Sequence, residues 1–273
     1  MPEPETQNPG SALGEAMGAC MEAALARFIE PLVLDHQSRL MTKGPVNPKT
    51  GRGTKLLMFD EFGTKYSIDG VILNEANQPI VLLESKYIRY TKHNRDKGSW
   101  ICHAHGEVRR FYSSIRSSIA ILAGNWSKTS LTMITSHNIN VFLVPFERLV
   151  EVLAKRGIDF EWGEKERHLA VEAWTLYSQL DPREIEIMGD EIIESIKKPL
   201  AELLEKTLSD DVSREISKVA IEIHSNLGEV KRFEFASRED ALDFLEDFSL
   251  EEMLDHSNSF TIFEIPKFSI DDE

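Results

Sequence analysis

The sequence predicts a mixed α/β or α+β protein, and three observations carry that prediction. Short β-like runs (YSIDGVIL at 66–73, IVLL at 80–83, VFLVP at 141–145) alternate with segments whose apolar residues recur every three or four positions. The composition, 41% hydrophobic and 28% charged, has enough apolar residue for a core, which excludes a disordered chain, a collagen and a simple coiled coil. No apolar run approaches the roughly 18 residues of a membrane-spanning helix, so no membrane partner is expected. The acidic, proline-rich start MPEPETQNPG lacks the basic and apolar regions of a signal peptide. Two cysteines, Cys20 and Cys102, cannot build a disulfide framework. A reduced, cytoplasmic protein is expected.

Residues 1–12, rich in Pro, Gly, Asn and Ser, read as a flexible lead-in. The spacing of Met17, Met21, Leu25, Phe28 and Ile29 predicts a helix over 13–34, weakened or ended at Pro31. The stretch 41–55, with Gly, Pro and Lys, is a positively charged loop, and LLMF at 56–59 a short strand. Two strands, 66–73 and 80–88, are joined by the turn cluster NEANQP as a hairpin. A basic loop over 89–100 leads into a helix over 103–123, with Val108, Phe111, Ile115, Ile119 and Leu122 on one face and Gly124 as its stop. Strands over 131–134, 141–145 and 158–162 and helices over 146–156 and 164–180 follow. Asp181-Pro182 marks a boundary. Beyond it the pattern predicts amphipathic helix over 183–224, interrupted near Pro199 and Ser209. A strand over 230–235, a helix over 238–248 and a last strand over 260–265 complete the chain.

Charge is unevenly spread. The chain carries 31 basic and 46 acidic side chains, a net charge of −15 that by itself argues against a nucleic-acid partner. The window 39–128, however, holds 15 basic against 7 acidic residues, whereas 181–273 holds 10 against 26. A basic centre joined to an acidic C-terminal third points to a charged partner. The acidic third reads first as a solvated subdomain that keeps the chain in solution. An apolar face with Leu200, Leu203, Leu204 and Leu208 also suits a dimer contact.

The chemistry is concentrated in Asp69, Glu84 and Lys86. Side chains alternate along a strand, so Glu84 and Lys86 share a face and Ser85 points away. The short turn brings Asp69 to Glu84. Two carboxylates and a backbone carbonyl are hard oxygen ligands for Mg²⁺, which retains water and phosphate in its other positions. The competing interpretation is an ion pair at a strand end. Acid-x-Lys triplets are common, and Glu229-Val230-Lys231 is one, but it follows a turn rather than an apolar strand.

Asp69, followed after an apolar strand by Glu84-Ser85-Lys86, resembles the pattern of the PD-(D/E)xK nuclease superfamily, which includes many type II restriction endonucleases. Ile68-Asp69 stands where that family often has Pro-Asp. The resemblance covers about residues 13–180. It implies a restriction-endonuclease-like core: a central mixed sheet flanked by helices, with 181–273 appended. It implies Asp69 and Glu84 as metal ligands, the Ser85 carbonyl completing the site, and Lys86 positioning the attacking water. A glutamate on the preceding helix is a further ligand in such enzymes, and Glu22, with Glu30 second, stands at that place. The implied cofactor is Mg²⁺, with Mn²⁺ able to substitute. The implied partners are double-stranded DNA, a second copy in a homodimer, and a separate methyltransferase. A repair or recombination nuclease on branched or damaged DNA is the first rival, and a non-catalytic DNA-binding protein the second.

The surroundings suit phosphate. Arg89, Lys92, His93, Arg95 and Lys97 precede the predicted helix, and Arg109, Arg110 and Arg116 follow on it among serines. Glu107 and Arg110 lie one turn apart, within reach of the pocket. Tyr87, Tyr90 and Trp100 either stack on bases or fill gaps, and Trp100, bordering an apolar stretch, reads as filling. Cys102-His103-Ala104-His105 matches no zinc spacing.

Overall fold

A computed structural model describes residues 8–51, 53–163, 166–249, 251 and 255. The predicted strand over 260–265 and most of the predicted N-terminal lead-in lie outside them. The chain divides into two compact units, Met1–Asp210 and Asp211–Glu273. The first boundary is therefore at 210/211, not at Asp181-Pro182.

The first unit opens with α1 (Pro9–Asp35), capped by the Asn8 side chain on the Ser11 N–H, with Pro9 in the first turn where its missing N–H costs nothing. The expected frayed lead-in thus gives way to helix from residue 9. The helix also runs through Pro31, which is exposed, so the Arg27 carbonyl it leaves unpaired faces solvent. There follow β1 (Arg39–Met41), β2 (Leu57–Phe59), β3 (Lys65–Ser67), β4 (Gly70–Leu73) and β5 (Pro79–Ile88). A single 3₁₀ turn, Thr91–His93, leads into α2 (Asn94–Phe111), then β6 (Ser117–Gly124), α3 (Lys128–Ser136), β7 (Asn140–Pro145), α4 (Phe146–Ala154), α5 (Arg167–Ser178) and α6 (Pro182–Leu208).

Five strands form one mixed sheet in the order β1-β4-β5-β6-β7. β1, β4 and β5 are antiparallel; β5, β6 and β7 are parallel. β2 and β3 make a separate hairpin. One sheet face packs Ile119, Ile121 and Ala123 with α1, α4 and α6. The other packs Ala120 and Leu122 with α2 and α3, and Leu82 with the β2–β3 hairpin and α2. The class is mixed α/β, as the interleaved patterns predict.

Several elements differ from their sequence patterns for identifiable reasons. The predicted helix over 103–123 is two elements. α2 begins earlier, absorbing most of the expected basic loop, and SSIAILAG is β6. Every residue of β6 is buried, because it lies between two parallel neighbours with helices on both faces. Such a strand shows no alternation, and its apolar spacing fits a helix equally well. The predicted strand over 131–134 is part of α3: the Ser127 hydroxyl caps it through Ser130 N–H, and Ile134 faces the core. Residues 158–162 are not a strand. α6 is continuous through Pro199, which is exposed, and Ile192, Ile196, Leu200, Leu204 and Leu208 hold its inner face in the core. The leucines expected to offer a dimer face are therefore used within the unit. Residues 219–224, predicted helical, are a strand.

The second unit pairs β8 (Val219–His224) with β9 (Val230–Phe235) in an antiparallel hairpin. α7 (Arg238–Asp247) lays Phe244 between Phe233 and Phe235.

The ends of β5 and β6 meet at a tight approach. Gly124 has φ 95°, and its neighbour Asn125 donates its N–H to the Ile88 carbonyl at 2.9 Å. A Cβ at Gly124 would collide with that carbonyl oxygen. Gly124→Ala is therefore expected to destabilise the protein by about 2 kcal/mol or more. Urea unfolding checks this: the midpoint should fall with no change in the denaturant slope.

Candidate active site

β4 and β5 are antiparallel with Gly70 opposite Leu83. One further step in that register sets Asp69 opposite Glu84. The pair is clamped reciprocally: Asp69 N–H donates to Glu84 Oε2 at 3.4 Å and Ser85 N–H donates to Asp69 Oδ2 at 3.0 Å. A strand residue's N–H and C=O point to the same side, so the Ser85 carbonyl also faces the Asp69 side.

Two carboxylates facing each other across a ladder repel. Lys86 answers that repulsion. Its Nζ lies 2.7 Å from Asp69 Oδ2 and 2.6 Å from Glu84 Oε1. The ammonium donates a directed hydrogen bond to Asp69, while Glu84 Oε1 is buried with no directed donor. Glu84 is fully enclosed, whereas Asp69 and Lys86 keep about a quarter of their side-chain surface, 28% and 26%. Burial pushes the Glu84 carboxyl up, but His105 and Lys86 outweigh it and leave it below the usual carboxylate range. Burial likewise lowers Lys86, and the two carboxylates outweigh it and hold the ammonium above its ordinary value.

These three residues line a cavity of about 1030 Å³ at the end of β4 and β5, between α1 and the first turns of α2. α1 brings Glu22 to its lining. Partial desolvation, then Asp69 and Glu84, push the Glu22 carboxyl up. Glu30 does not line the cavity.

The expected basic residues separate into two groups. His93 and Lys97 line the cavity, and Lys92 and Arg95 stand exposed beside them. Arg89 does not face a ligand: its guanidinium lies 4.0 Å from the Trp162 ring centroid and donates to the carbonyls of Phe160 and Trp162. Arg109 reaches the Asn138 carbonyl. Arg110 pairs with Glu107, and neither lines the cavity. Arg116 bonds Asp210 and the Thr207 carbonyl, tying down the end of α6.

Several cavity or site residues were given no site role by the sequence pattern. Lys43 and Lys55, from the positively charged loop after β1, line the cavity. Trp100, expected as filling, lines it with 39% of its surface exposed. His105 is wholly buried, with Nε2 3.8 Å from Glu84 Oε2. His103 approaches Tyr66 instead, and Cys102 points to the Met133 carbonyl, so the Cys-His-Ala-His run diverges.

The arrangement can hold a hard divalent cation. Lys86 Nζ already stands as a positive charge between the two carboxylates, and the donorless Glu84 Oε1 faces it. Among the described residues no three His, Cys, Asp or Glu side chains converge tightly enough to enclose a metal. A cation held by Asp69 and Glu84 would need its remaining ligands from a backbone carbonyl and water, a set that suits Mg²⁺.

Glu22 yields a signed prediction. Its folded pKa is raised above the ordinary 4.5, so its ionised form destabilises the metal-free fold at neutral pH. Glu22→Gln should raise the melting temperature in EDTA at pH 7. The gain should disappear as the pH falls below 4.5, where Glu22 is protonated in both states. Thermal melts across pH check the sign.

No family model matches the chain, and no curated protein matches it. A solved crystal structure of a protein of unknown function, AF1548, is similar over 68% of this chain and 94% of that one, at 9% identity and a TM-score of 0.32. No helix among the described residues is long and apolar enough to cross a membrane.

Proposed function

We propose that the protein is a Mg²⁺-dependent endodeoxyribonuclease with a restriction-endonuclease-like core, acting on double-stranded DNA as a type II restriction enzyme. Mn²⁺ substitutes for Mg²⁺, the working form is a homodimer, and a separate methyltransferase protects the host site. The observation that carries this reading is Asp69 opposite Glu84 with Lys86 between them, at the end of an antiparallel pair within a five-stranded mixed sheet.

Asp69, Glu84 and the Ser85 carbonyl would hold the cation, and Glu22, which lines the same cavity, would reach it through a coordinated water. The chemistry such a cation would supply is acidification of a water and neutralisation of charge on the phosphoryl oxygens. Lys86, held protonated by its neighbours, orients the attacking water. Attack in line forms a new P–O bond and breaks the bond to the 3′ oxygen, leaving a 5′-phosphate and a 3′-hydroxyl. Lys43, Lys55, His93 and Lys97 take the strand's phosphates on the cavity wall. The acidic centre and basic rim fit a polyanion that needs a metal to approach carboxylates.

Trp100 favours a second reading. Its exposed face beside Lys97 and His93 suits stacking on an unpaired base, as in branched or damaged DNA.

The test incubates purified protein with unmethylated plasmid, phage DNA and branched substrates, in Mg²⁺ or EDTA. Wild type should cut in Mg²⁺ alone. Lys86→Ala should lose roughly 10²–10⁴-fold in rate while binding DNA with unchanged affinity. Discrete plasmid fragments support restriction, whereas cleavage confined to branched substrates supports the second reading. No cleavage of any substrate, with binding indifferent to Mg²⁺, contradicts both and leaves a structural ion pair.

A further inference from the structure

We propose that His105 is a positioning residue for Glu84: its imidazole donates from Nε2 to Glu84 Oε2 and so turns Oε1 toward the cation. The inference rests on the metal-dependent reading above, and extends it to a residue outside the Asp69, Glu84, Lys86 pattern.

The argument starts from burial. His105 has no exposed surface, and neither ring nitrogen has a hydrogen-bond partner among the described residues. A polar ring deprived of water is costly unless something answers it. Its flanking α2 residues, Ala104 and Val108, pack into an apolar cluster with Met58, Ile68 and Leu82, where a leucine would fit the pattern better. An acceptor lies close by: Glu84 Oε2 is 3.8 Å from Nε2, with both side chains fully enclosed. That separation exceeds a hydrogen bond, and site contacts of this kind commonly tighten once the ligand is in place.

The two oxygens of Glu84 then have separate tasks. Oε2 already accepts from the Asp69 N–H, and His105 approaches the same atom. Oε1 carries no directed donor and faces the Lys86 ammonium. Anchoring one oxygen fixes the rotation of the carboxylate and leaves the other free for a cation. Hydrogen-bond partners behind a metal ligand typically account for about 10–100-fold in metal affinity.

The test uses the full-length protein without DNA and titrates Mn²⁺ by calorimetry. His105→Leu should weaken Mn²⁺ binding by about 10–100-fold and raise the Mg²⁺ needed for cleavage by a similar factor. DNA affinity in EDTA should not change. His105→Gln, whose amide N–H reaches the Nε2 position, should restore most of the Mn²⁺ affinity. His105→Asn, too short to reach, should not, and the Gln–Asn pair serves if the leucine variant fails to fold. A purely structural role would lower stability in the variants and leave Mn²⁺ affinity equal among the folded ones. That result, or Gln no better than Asn, overturns the inference while wild-type cleavage still stands. Wild type that neither binds Mn²⁺ nor cuts DNA overturns the inference together with the reading beneath it.

Discussion

Everything at the candidate site depends on two carboxylates held face to face across antiparallel strands by one ammonium. Asp69 and Glu84 are opposed by the β4–β5 register, and opposed like charges destabilise a ladder. The fold accepts them because Lys86 lies within 2.7 Å of both and backbone N–H groups of Asp69 and Ser85 cross-link the pair. Glu84 is the deeper of the two, and burial alone would neutralise it. Lys86 and His105 keep it ionised instead. The site thus concentrates two carboxylate charges against a single lysine.

The surrounding architecture serves that arrangement. β5 is the longest strand, and its inner half is anchored by Leu82 and Leu83 in the two opposite cores. Its outer half carries Glu84 and Lys86 to the cavity. β6, buried along its whole length, fixes β5 from the other side. α1 and α2 then approach the strand ends from opposite faces, the first bringing Glu22 and the second Lys97, Trp100 and His105, while His93 comes from the 3₁₀ turn before α2. Arg89, although near these in sequence, is drawn instead into an aromatic box with Phe160 and Trp162.

How much of this was legible in the sequence follows from the range of each signal. The hairpin was legible because NEANQP is a strong local turn and IVLL a strand-length apolar run; the pairing of Asp69 with Glu84 also needs the register shift between Ile72 and Leu73, which no local pattern marks. Glu22 was legible only through the resemblance, since nothing near it in sequence marks it. β6 was not legible, because burial on both faces erases the alternation that identifies a strand. That one error displaced α2 and put Arg116 on a helix, whereas it lies in the connection to β6 and binds Asp210. Charge counts could not separate Lys97, on the cavity wall, from Arg109 and Arg110, which satisfy a carbonyl and a neighbouring glutamate. His105 gave no signal beyond its place in a helix, because its meaning comes from the strand it faces. The 181 boundary failed for a similar reason: α6 is acidic outside, but its inner face belongs to the first unit's core.

The central claim is that a divalent cation binds between Asp69 and Glu84, and crystallography with Mn²⁺ tests it most directly. The account predicts an anomalous peak about 2.1–2.2 Å from a carboxylate oxygen of each residue, with Lys86 Nζ displaced from the midpoint and the Ser85 carbonyl turned toward the ion. A map with no peak there at saturating Mn²⁺, and Lys86 still seated between the carboxylates, would contradict it.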